Sequence, residues 1–217
     1  NSTWPYKSPS PYHMYVKVLR EYFGDISDQE IDLPHQITSG LYNNLRYQID
    51  AIKEGINKID EYNGAIVADV VGLGKSIIGS CIAYNLYKRD NLYTIIIAPP
   101  HLVDQWKEYK DKFGFTGEVW SRGRVRECFE YYKNDARPKL IVIDEAHRFR
   151  NELTYDYTDI HQLAIGHKVL LLSATPFNND PRDVYALIKL FQIPGAATLR
   201  TAENLGVAFM ELIKDYG

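Results

Sequence analysis

The sequence predicts an α/β fold in which a mainly parallel β-sheet carries helices on both faces, preceded by a helical extension at the N-terminus. Two observations lead to this prediction. Beyond residue 63, short apolar runs alternate with longer stretches of helical periodicity, a pattern typical of the right-handed crossover units that build a parallel sheet. The runs are also apolar at every position rather than at every second one, as expected of strands that are buried on both faces.

The first 40 residues are predicted to form a linker and a helical extension. Asn1 to Pro11 is rich in proline and serine, and Ser10-Pro11 has the residue types that cap and open a helix. Apolar side chains then recur at helical spacing from Tyr12 to Phe23. An acidic, turn-rich connector from Gly24 to Gly40 separates this helix from residues 41–217, which are predicted to form the main domain.

The elements of the main domain follow in order along the chain. A helix over Leu45–Ile59 precedes the first strand. The predicted strands are Ala65–Ala68, Thr94–Ala98, Glu118–Trp120, Leu140–Ile143 and Val169–Leu172. The helices between and after them are predicted near Ser76–Lys88, Leu102–Phe113, Val125–Tyr132, Thr154–Ala164, Asn179–Phe191 and Ala202–Asp215.

The composition argues against a free-standing DNA-binding domain and against a membrane-spanning protein. Of the 217 residues, 45% are hydrophobic, and the formal net charge is only -3, whereas a free-standing DNA-binding domain usually shows a basic excess. No apolar run reaches the roughly 18 residues that a membrane-spanning helix needs, so no membrane partner is expected.

Cys81 and Cys128 lack metal-ligand spacing and are expected to be reduced, buried thiols of a cytoplasmic protein. Because the chain begins at Asn1, we expect an internal fragment of a longer protein.

The strongest chemical signal follows the first predicted strand. The eight residues that end at Ser76 read Asp-Val-Val-Gly-Leu-Gly-Lys-Ser and open a helix, which is the setting that a phosphate-binding loop requires. Backbone amides around Gly72, Leu73 and Gly74 can approach a phosphate closely, and the helix N-terminus favours negative charge. Lys75 is predicted to reach the terminal phosphates of ATP, and the Ser76 hydroxyl is predicted to ligate Mg²⁺. The alternative is a glycine-rich turn without a ligand.

A second signal is a pair of carboxylates at the end of the apolar run Leu140–Ile143. Asp144 and Glu145 follow this predicted strand directly, and carboxylates at the carboxyl edge of a parallel sheet face the ligand crevice. Asp144 is predicted to hold Mg²⁺, directly or through water. Glu145 is predicted to orient and polarise the attacking water, because phosphoryl transfer depends mainly on positioning and charge neutralisation. Alone, the pair would be a solvated helix start; the phosphate loop before it favours the catalytic interpretation.

Hydroxyl groups end a third predicted strand, Val169–Leu172. Ser173 and Thr175 follow it, and His147 comes two residues after Glu145. These three side chains are predicted to hydrogen-bond around the acidic motif and to report its state to a neighbouring lobe. The alternative is a simple turn with a helix cap.

Together the three motifs resemble helicase superfamily two and, within it, the Swi/Snf-like ATPases. The family's phosphate loop commonly reads Asp-Glu-Met-Gly-Leu-Gly-Lys-Thr, so Asp69 in place of the usual first glycine is typical of the family. The family's DEAH-type box appears at Asp144–His147. Its adenine-reading element, Leu-Arg-x-Tyr-Gln, appears one residue short at Leu45–Gln48, and this makes Gln48 the expected adenine contact.

Nucleic-acid contacts are indicated less specifically. The segment Ala98–Trp106 resembles one that lies against the nucleic-acid backbone in the family, with Trp106 itself expected to pack rather than to contact nucleic acid. Arg122, Arg124 and Arg126 follow a predicted strand. They allow two interpretations, phosphate contacts or a solvated charge run, and the second is favoured.

The resemblance implies a RecA-like P-loop NTPase lobe over residues 41–217 that binds ATP and Mg²⁺. Lys75, Asp144 and Glu145 are its implied catalytic residues. The parent protein is expected to be a nucleic-acid-dependent ATPase, with a translocating or remodelling motor on duplex DNA as the favoured form. Two alternatives stay open: a strand-separating DNA or RNA helicase, and a nucleotide-dependent interaction module without turnover in isolation.

Further parts of the parent protein are implied by the same resemblance. A second RecA-like lobe with an arginine finger is expected, because the residues after Gly195 leave no room for another sheet. The finer resemblance is to bacterial Swi/Snf-like helicases that carry a phospholipase-D-like nuclease domain upstream.

Overall fold

A computed structural model gives the architecture of residues 31–68, 74–175, 181–192 and 207. Several predictions lie outside these described residues: the helix over Tyr12–Phe23, Gly72 and Leu73 of the phosphate loop, and all of the helix over Ala202–Asp215 except Val207. No helix within the described ranges is long and apolar enough to cross a membrane.

The described strands form one five-stranded sheet, in which neighbouring strands run parallel. Each predicted strand is present and is one or two residues longer than expected. The observed strands are β1 Gly64–Ala68, β2 Tyr93–Ala98, β3 Gly117–Ser121, β4 Lys139–Asp144 and β5 Lys168–Ser173. Their order in the sheet is β1-β5-β4-β2-β3, so β4 lies at the centre and β1 pairs with β5.

Helices follow the strands as the periodicity predicts. The described α-helices are α1 Pro34–Ile37, α2 Arg46–Tyr62, α3 Lys75–Asp90, α4 Val103–Phe113, α5 Val125–Tyr132, α6 Tyr155–Ala164 and α7 Pro181–Ile188. Short 3₁₀ turns follow three of the strands, at Pro100–Leu102 after β2, Arg122–Arg124 after β3 and Ala146–Phe149 after β4.

Helix α1 lies within the segment that was predicted to be a turn-rich connector. Its four residues are too few for helical periodicity to show in the sequence. Contacts with α3 hold the residues that precede α1 in place. The Asn85 side chain accepts from the Asp32 backbone amide and donates to the Asp32 carbonyl, both at 2.9 Å, and Lys88 forms an ion pair with the Asp32 carboxylate. Residues 31–33 are thus tied to the helix that begins at the phosphate loop.

The side chains of successive residues in a strand pack into hydrophobic cores on opposite faces of the sheet. Ile96 of β2 and Val142 of β4 pack with α2, α3 and α4 on one face of the sheet. Ile95 and Ile141 pack with α5, α6 and α7 on the other face. All four side chains are fully buried, which explains why the strands are apolar at every position. The predicted sheet with helices on both faces is confirmed.

Candidate nucleotide-binding site

Three neighbouring strands bring the predicted site residues to one edge of the sheet. In the register of the sheet, Ala68 of β1 lies beside Ser173 of β5, and Leu172 of β5 lies beside Asp144 of β4. The loop after β1 leads to Lys75, the first residue of α3. Because the carboxyl ends of parallel strands meet at the same edge, Lys75, Asp144 and Ser173 converge there.

The end of the phosphate loop depends on a glycine. Gly74 has a φ of 80°, a left-handed conformation that costs glycine little. A Cβ atom at this position would lie 2.6 Å from Nε2 of Gln48, so the close approach of that side chain also requires glycine. Lys75 and Ser76 then form the first two positions of α3. Amides at a helix N-terminus lack partners within the helix and favour an anion.

Gln48 lies beside this turn. It stands in the first turn of α2 and is only 3% exposed. Its Nε2 donates to the Tyr47 hydroxyl at 3.4 Å, in addition to its approach to Gly74. The structure therefore brings the predicted adenine contact next to the last glycine of the loop, and the contact with adenine itself stays a prediction.

Asp144 is a buried carboxylate with two donors from the protein. It is 5% exposed. Trp106 Nε1 donates to its Oδ2 at 2.8 Å, and the Glu145 backbone amide donates to its Oδ1 at 2.9 Å. Burial raises the pKa of the Asp144 carboxyl above its ordinary value, although both hydrogen bonds and the charge of Lys75 act in the opposite direction. Lys75 is thus near enough to Asp144 for their charges to interact.

Glu145 turns the chain at the end of β4. Its φ of 53° is uncommon for a residue with a side chain, and the 3₁₀ turn Ala146–Phe149 starts directly after it. Its Oε2 lies 3.1 Å from Nδ1 of His147. The carboxylate predicted to orient water is therefore held against this histidine.

A series of polar contacts joins the ends of β4 and β5. His147 Nδ1 lies 3.3 Å from Ser173 Oγ, and the Thr175 backbone amide donates to the same oxygen at 3.2 Å. Burial lowers the pKa of the His147 imidazole below its ordinary value, despite the opposing charge of Glu145. This shift favours the neutral form of His147, whose Nδ1 contacts both Glu145 and Ser173. The three residues predicted to couple the site to a neighbouring lobe are in contact, and the coupling stays a prediction.

The oxygen donors of the site fit Mg²⁺. Asp144 supplies a carboxylate, and Ser76 supplies a half-buried hydroxyl at the start of α3. Proteins usually hold Mg²⁺ by one or two carboxylates together with the phosphates of the substrate. In the part of the chain that the structure describes, no group of three or more His, Cys, Asp or Glu side chains could hold a metal ion. The donor set suits a metal that binds together with a nucleotide.

Trp106 is the contact that sequence reasoning missed. The prediction that it packs is correct, since it is 1% exposed, but its indole also hydrogen-bonds Asp144. A signal was available, because a buried tryptophan usually finds a partner for its N–H. The sequence does not indicate which acceptor lies within reach of the indole, because the two residues are 38 positions apart.

Arg124 and Arg126, which follow β3, are exposed, as the interpretation as a solvated charge run expects. Arg124 forms an ion pair with Glu127 at 2.5 Å and lies over the ring of Trp120, 5.1 Å from its centroid. Arg126 pairs with Asp159 of α6 at 2.9 Å, and Asp159 is buried. Both arginines therefore have partners within the chain.

Comparison with known proteins identifies homologues of this chain. Residues 125–205 match the family model described as the SNF2-related domain. The chain is 30% identical over 169 residues to the uncharacterized ATP-dependent helicase YqhH of Bacillus subtilis, covering 70% of this chain and 29% of the relative. It is 25% identical over 176 residues to the chromodomain-helicase-DNA-binding protein 1-like of Danio rerio, covering 67% of this chain and 17% of the relative.

The fold is also similar to a solved structure, the Sulfolobus solfataricus SWI2/SNF2 ATPase core in complex with dsDNA. The TM-score is 0.61 at 19% identity, and the similarity covers 75% of this chain and 38% of that chain. This chain is therefore similar to SNF2-related domains in sequence and shares the fold of this SWI2/SNF2 ATPase core. It spans less than a third of the length of the two curated relatives.

Proposed function

We propose that this chain is the ATP-binding lobe of a Swi/Snf-like, nucleic-acid-dependent ATPase whose parent protein moves along duplex DNA or remodels complexes bound to it. One observation carries the proposal. Lys75 at the start of α3 and the buried Asp144 at the end of β4 meet at the carboxyl edge of one parallel sheet, close enough for their charges to interact. The homology to SNF2-related ATPase cores supports it.

The residues around this edge have distinct tasks in nucleotide binding. The Lys75 ammonium and the first amides of α3 bind the phosphates, and Gly74 allows the backbone to approach them. Ser76 and Asp144 hold the metal, and Gln48 contacts the adenine. The bound Mg²⁺ neutralises charge on the phosphates.

Glu145 orients the attacking water. Its contact with His147 at 3.1 Å fixes the direction of the carboxylate. Because burial favours the neutral imidazole of His147, the Glu145 carboxylate keeps its charge to polarise a water molecule. His147 in turn contacts Ser173 on the neighbouring strand, and a movement at the end of β5 would therefore change the position of Glu145.

Duplex DNA is the proposed partner, together with a second RecA-like lobe of the same parent protein. The support for DNA is that the similar SWI2/SNF2 ATPase core is described in complex with dsDNA. A strand-separating DNA or RNA helicase is the second candidate, since the ATP motifs are shared across the superfamily. The ATPase rate of the parent protein with duplex DNA, single-stranded DNA and RNA distinguishes these candidates, because the true partner stimulates hydrolysis most strongly.

The substitution Lys75→Ala tests nucleotide binding by this chain. A charge-assisted contact is worth about 1.5–3 kcal/mol, so we expect the dissociation constant for Mg-ATP to rise about 10- to 150-fold in isothermal titration calorimetry. Lys107→Ala is the matched control, because Lys107 is an exposed lysine of α4 whose partner is Asp104. Equal binding by Lys75→Ala and the wild-type chain would mean that the loop is not a phosphate site.

A further inference from the structure

We infer that Trp106 is a positioning residue for Asp144, whose indole N–H fixes the carboxylate in the orientation that receives the metal of a metal–nucleotide complex. The inference rests on the proposed function of the site. It adds a residue of α4 to a site whose other predicted members come from α2, α3 and the ends of β4 and β5.

The geometry at Asp144 supports this role. Trp106 Nε1 donates to Oδ2 at 2.8 Å, while the Glu145 amide donates to Oδ1 at 2.9 Å. With each oxygen held by one donor, the carboxylate plane cannot rotate freely. An ionised carboxylate has about four lone-pair positions, so both oxygens keep acceptor capacity for a metal or for a water bound to it. Partners of this kind commonly orient metal-binding carboxylates.

The position of the indole is itself determined by the helix that begins at the phosphate loop. A Cβ atom added to Gly79 of α3 would lie 3.1 Å from Cη2 of Trp106 and 2.9 Å from Cδ1 of Leu172. Glycine at this position therefore leaves room for the ring between α3 and the sheet. Trp106 contacts the phosphate-loop helix through its ring and Asp144 through its N–H, so it connects the two halves of the site.

A second tryptophan of the chain shows that packing alone does not require such a hydrogen bond. The Nε1 atom of Trp120 is also buried, and within the described residues it has no hydrogen-bond partner. The Trp120 ring contacts other rings and the Arg124 guanidinium. Of the two tryptophans that the structure describes, the half-buried Trp120 therefore packs without a hydrogen bond from its indole, whereas Trp106 also holds a carboxylate.

The two tryptophans provide a matched pair of variants, Trp106→Phe and Trp120→Phe. Each keeps an aromatic ring and removes an indole N–H. The measurement is the binding of Mn²⁺ to the chain in the presence of the non-hydrolysable analogue AMP-PNP, followed by electron paramagnetic resonance. Loss of a partner that orients a metal ligand typically weakens metal binding about 10- to 100-fold. We expect a loss of this size in Trp106→Phe and unchanged Mn²⁺ binding in Trp120→Phe.

AMP-PNP binding without metal separates a positioning role from a loss of structure. We expect Trp106→Phe to bind metal-free AMP-PNP as the wild-type chain does, because the phosphate loop and Gln48 are unaltered. A parallel loss of both affinities would show that the ring only maintains the fold, and it would overturn the inference. Wild-type Mn²⁺ affinity in Trp106→Phe would also overturn it, while leaving the proposed function intact.

A spectroscopic measurement reports directly on the indole N–H of Trp106 in the wild-type chain. With ¹⁵N-labelled tryptophan, the chain gives one indole N–H signal for each of its three tryptophans, which single Trp→Phe substitutions assign. We expect the Trp106 signal to shift on addition of Mg-AMP-PNP and in Asp144→Asn, while the Trp120 signal stays in place. A Trp106 signal unchanged by Mg-AMP-PNP that does bind would overturn the inference. Failure of the wild-type chain to bind AMP-PNP at all would instead overturn the proposed function and this role together.

Discussion

At the scale of single residues, burial determines the protonation of the groups around the site. Burial moves the pKa of the Asp144 carboxyl up and that of the His147 imidazole down, and both shifts favour the neutral form. For His147 the neutral imidazole is the form that burial favours. Asp144 must be ionised to bind a metal, and its anion is supported by the Trp106 indole, the Glu145 amide and the charge of Lys75. A bound metal ion would favour the ionised form of this carboxylate further.

The two cysteines give a prediction at the same scale. Both are buried and free. Burial raises the pKa of the Cys128 thiol to about 12 and also raises the pKa of Cys81 well above its ordinary value. Because the thiolate is the reactive form, we expect neither cysteine to react rapidly with Ellman's reagent at pH 8 in the folded chain. In guanidinium chloride two thiols per chain should react; rapid labelling of the folded chain would contradict the buried placement.

At the scale of elements, an ion-pair network joins three of them at the edge of the sheet opposite the site. Asp60 of α2 accepts from both terminal nitrogens of Arg89 on α3, at 2.8 and 2.7 Å, and from Lys168 of β5 at 2.7 Å. Asp90 pairs with the same two cations. The network closes the amino end of the sheet against the two helices that carry Gln48 and Lys75.

The substitution Asp60→Asn should weaken this network in a pH-dependent way. Burial raises the pKa of Asp60, but the hydrogen bonds and charges of Arg89 and Lys168 outweigh it, and the pKa is lowered overall. A lowered carboxyl pKa contributes stability above the unfolded-state value near 3.9, and this stability is lost as the pH falls through the folded-state pKa. We therefore expect the free energy of unfolding in urea to fall by about 0.5–1 kcal/mol at pH 7, with the difference shrinking below about pH 4.

Glu54→Gln is a suitable control for this experiment. Glu54 pairs with Lys58 on the exposed face of the same helix at 3.8 Å, a contact of little expected worth because water screens it. A pH-independent difference between Asp60→Asn and the wild-type chain would mean that Asp60 acts through packing rather than through its charge.

The elements differ in how far they could be predicted. The central strands were predictable because β2, β4 and β5 are buried on both faces, which leaves a continuous apolar run such as Leu140–Ile143. The helix Pro34–Ile37 was not, because its four residues are too few for helical periodicity to show. The left-handed backbone of Glu145 was likewise not visible in the residue types. The site residues themselves were predictable from the sequence, because their motifs stand at the carboxyl ends of strands that share one edge of the sheet. The hydrogen bond between Trp106 and Asp144 was not predictable, because it depends on the directions of two side chains.

At the scale of the whole molecule, the described residues form one sheet, and the candidate nucleotide site lies at one edge of it. The chain covers 38% of the similar SWI2/SNF2 core and at most 29% of the two curated relatives described above. Its net charge is -3, and affinity for DNA rises with the number of phosphates that basic side chains neutralise. One lobe of this charge is therefore expected to bind DNA weakly alone and to act through a larger assembly.

This expectation leads to a prediction about turnover. The 217-residue chain should bind Mg-ATP but hydrolyse it very slowly, even when duplex DNA is present, because an arginine finger from a second lobe is typically worth about 10³–10⁵ in rate. In the two-lobed parent protein DNA should stimulate hydrolysis strongly. Glu145→Gln in the parent should abolish turnover and retain ATP, since Glu145 positions water while Lys75 and Ser76 hold phosphate and metal. The measurement is the steady-state ATPase rate of the chain and of the parent protein, each with and without DNA. A chain that hydrolyses ATP as fast as the DNA-stimulated parent would be a self-sufficient ATPase instead.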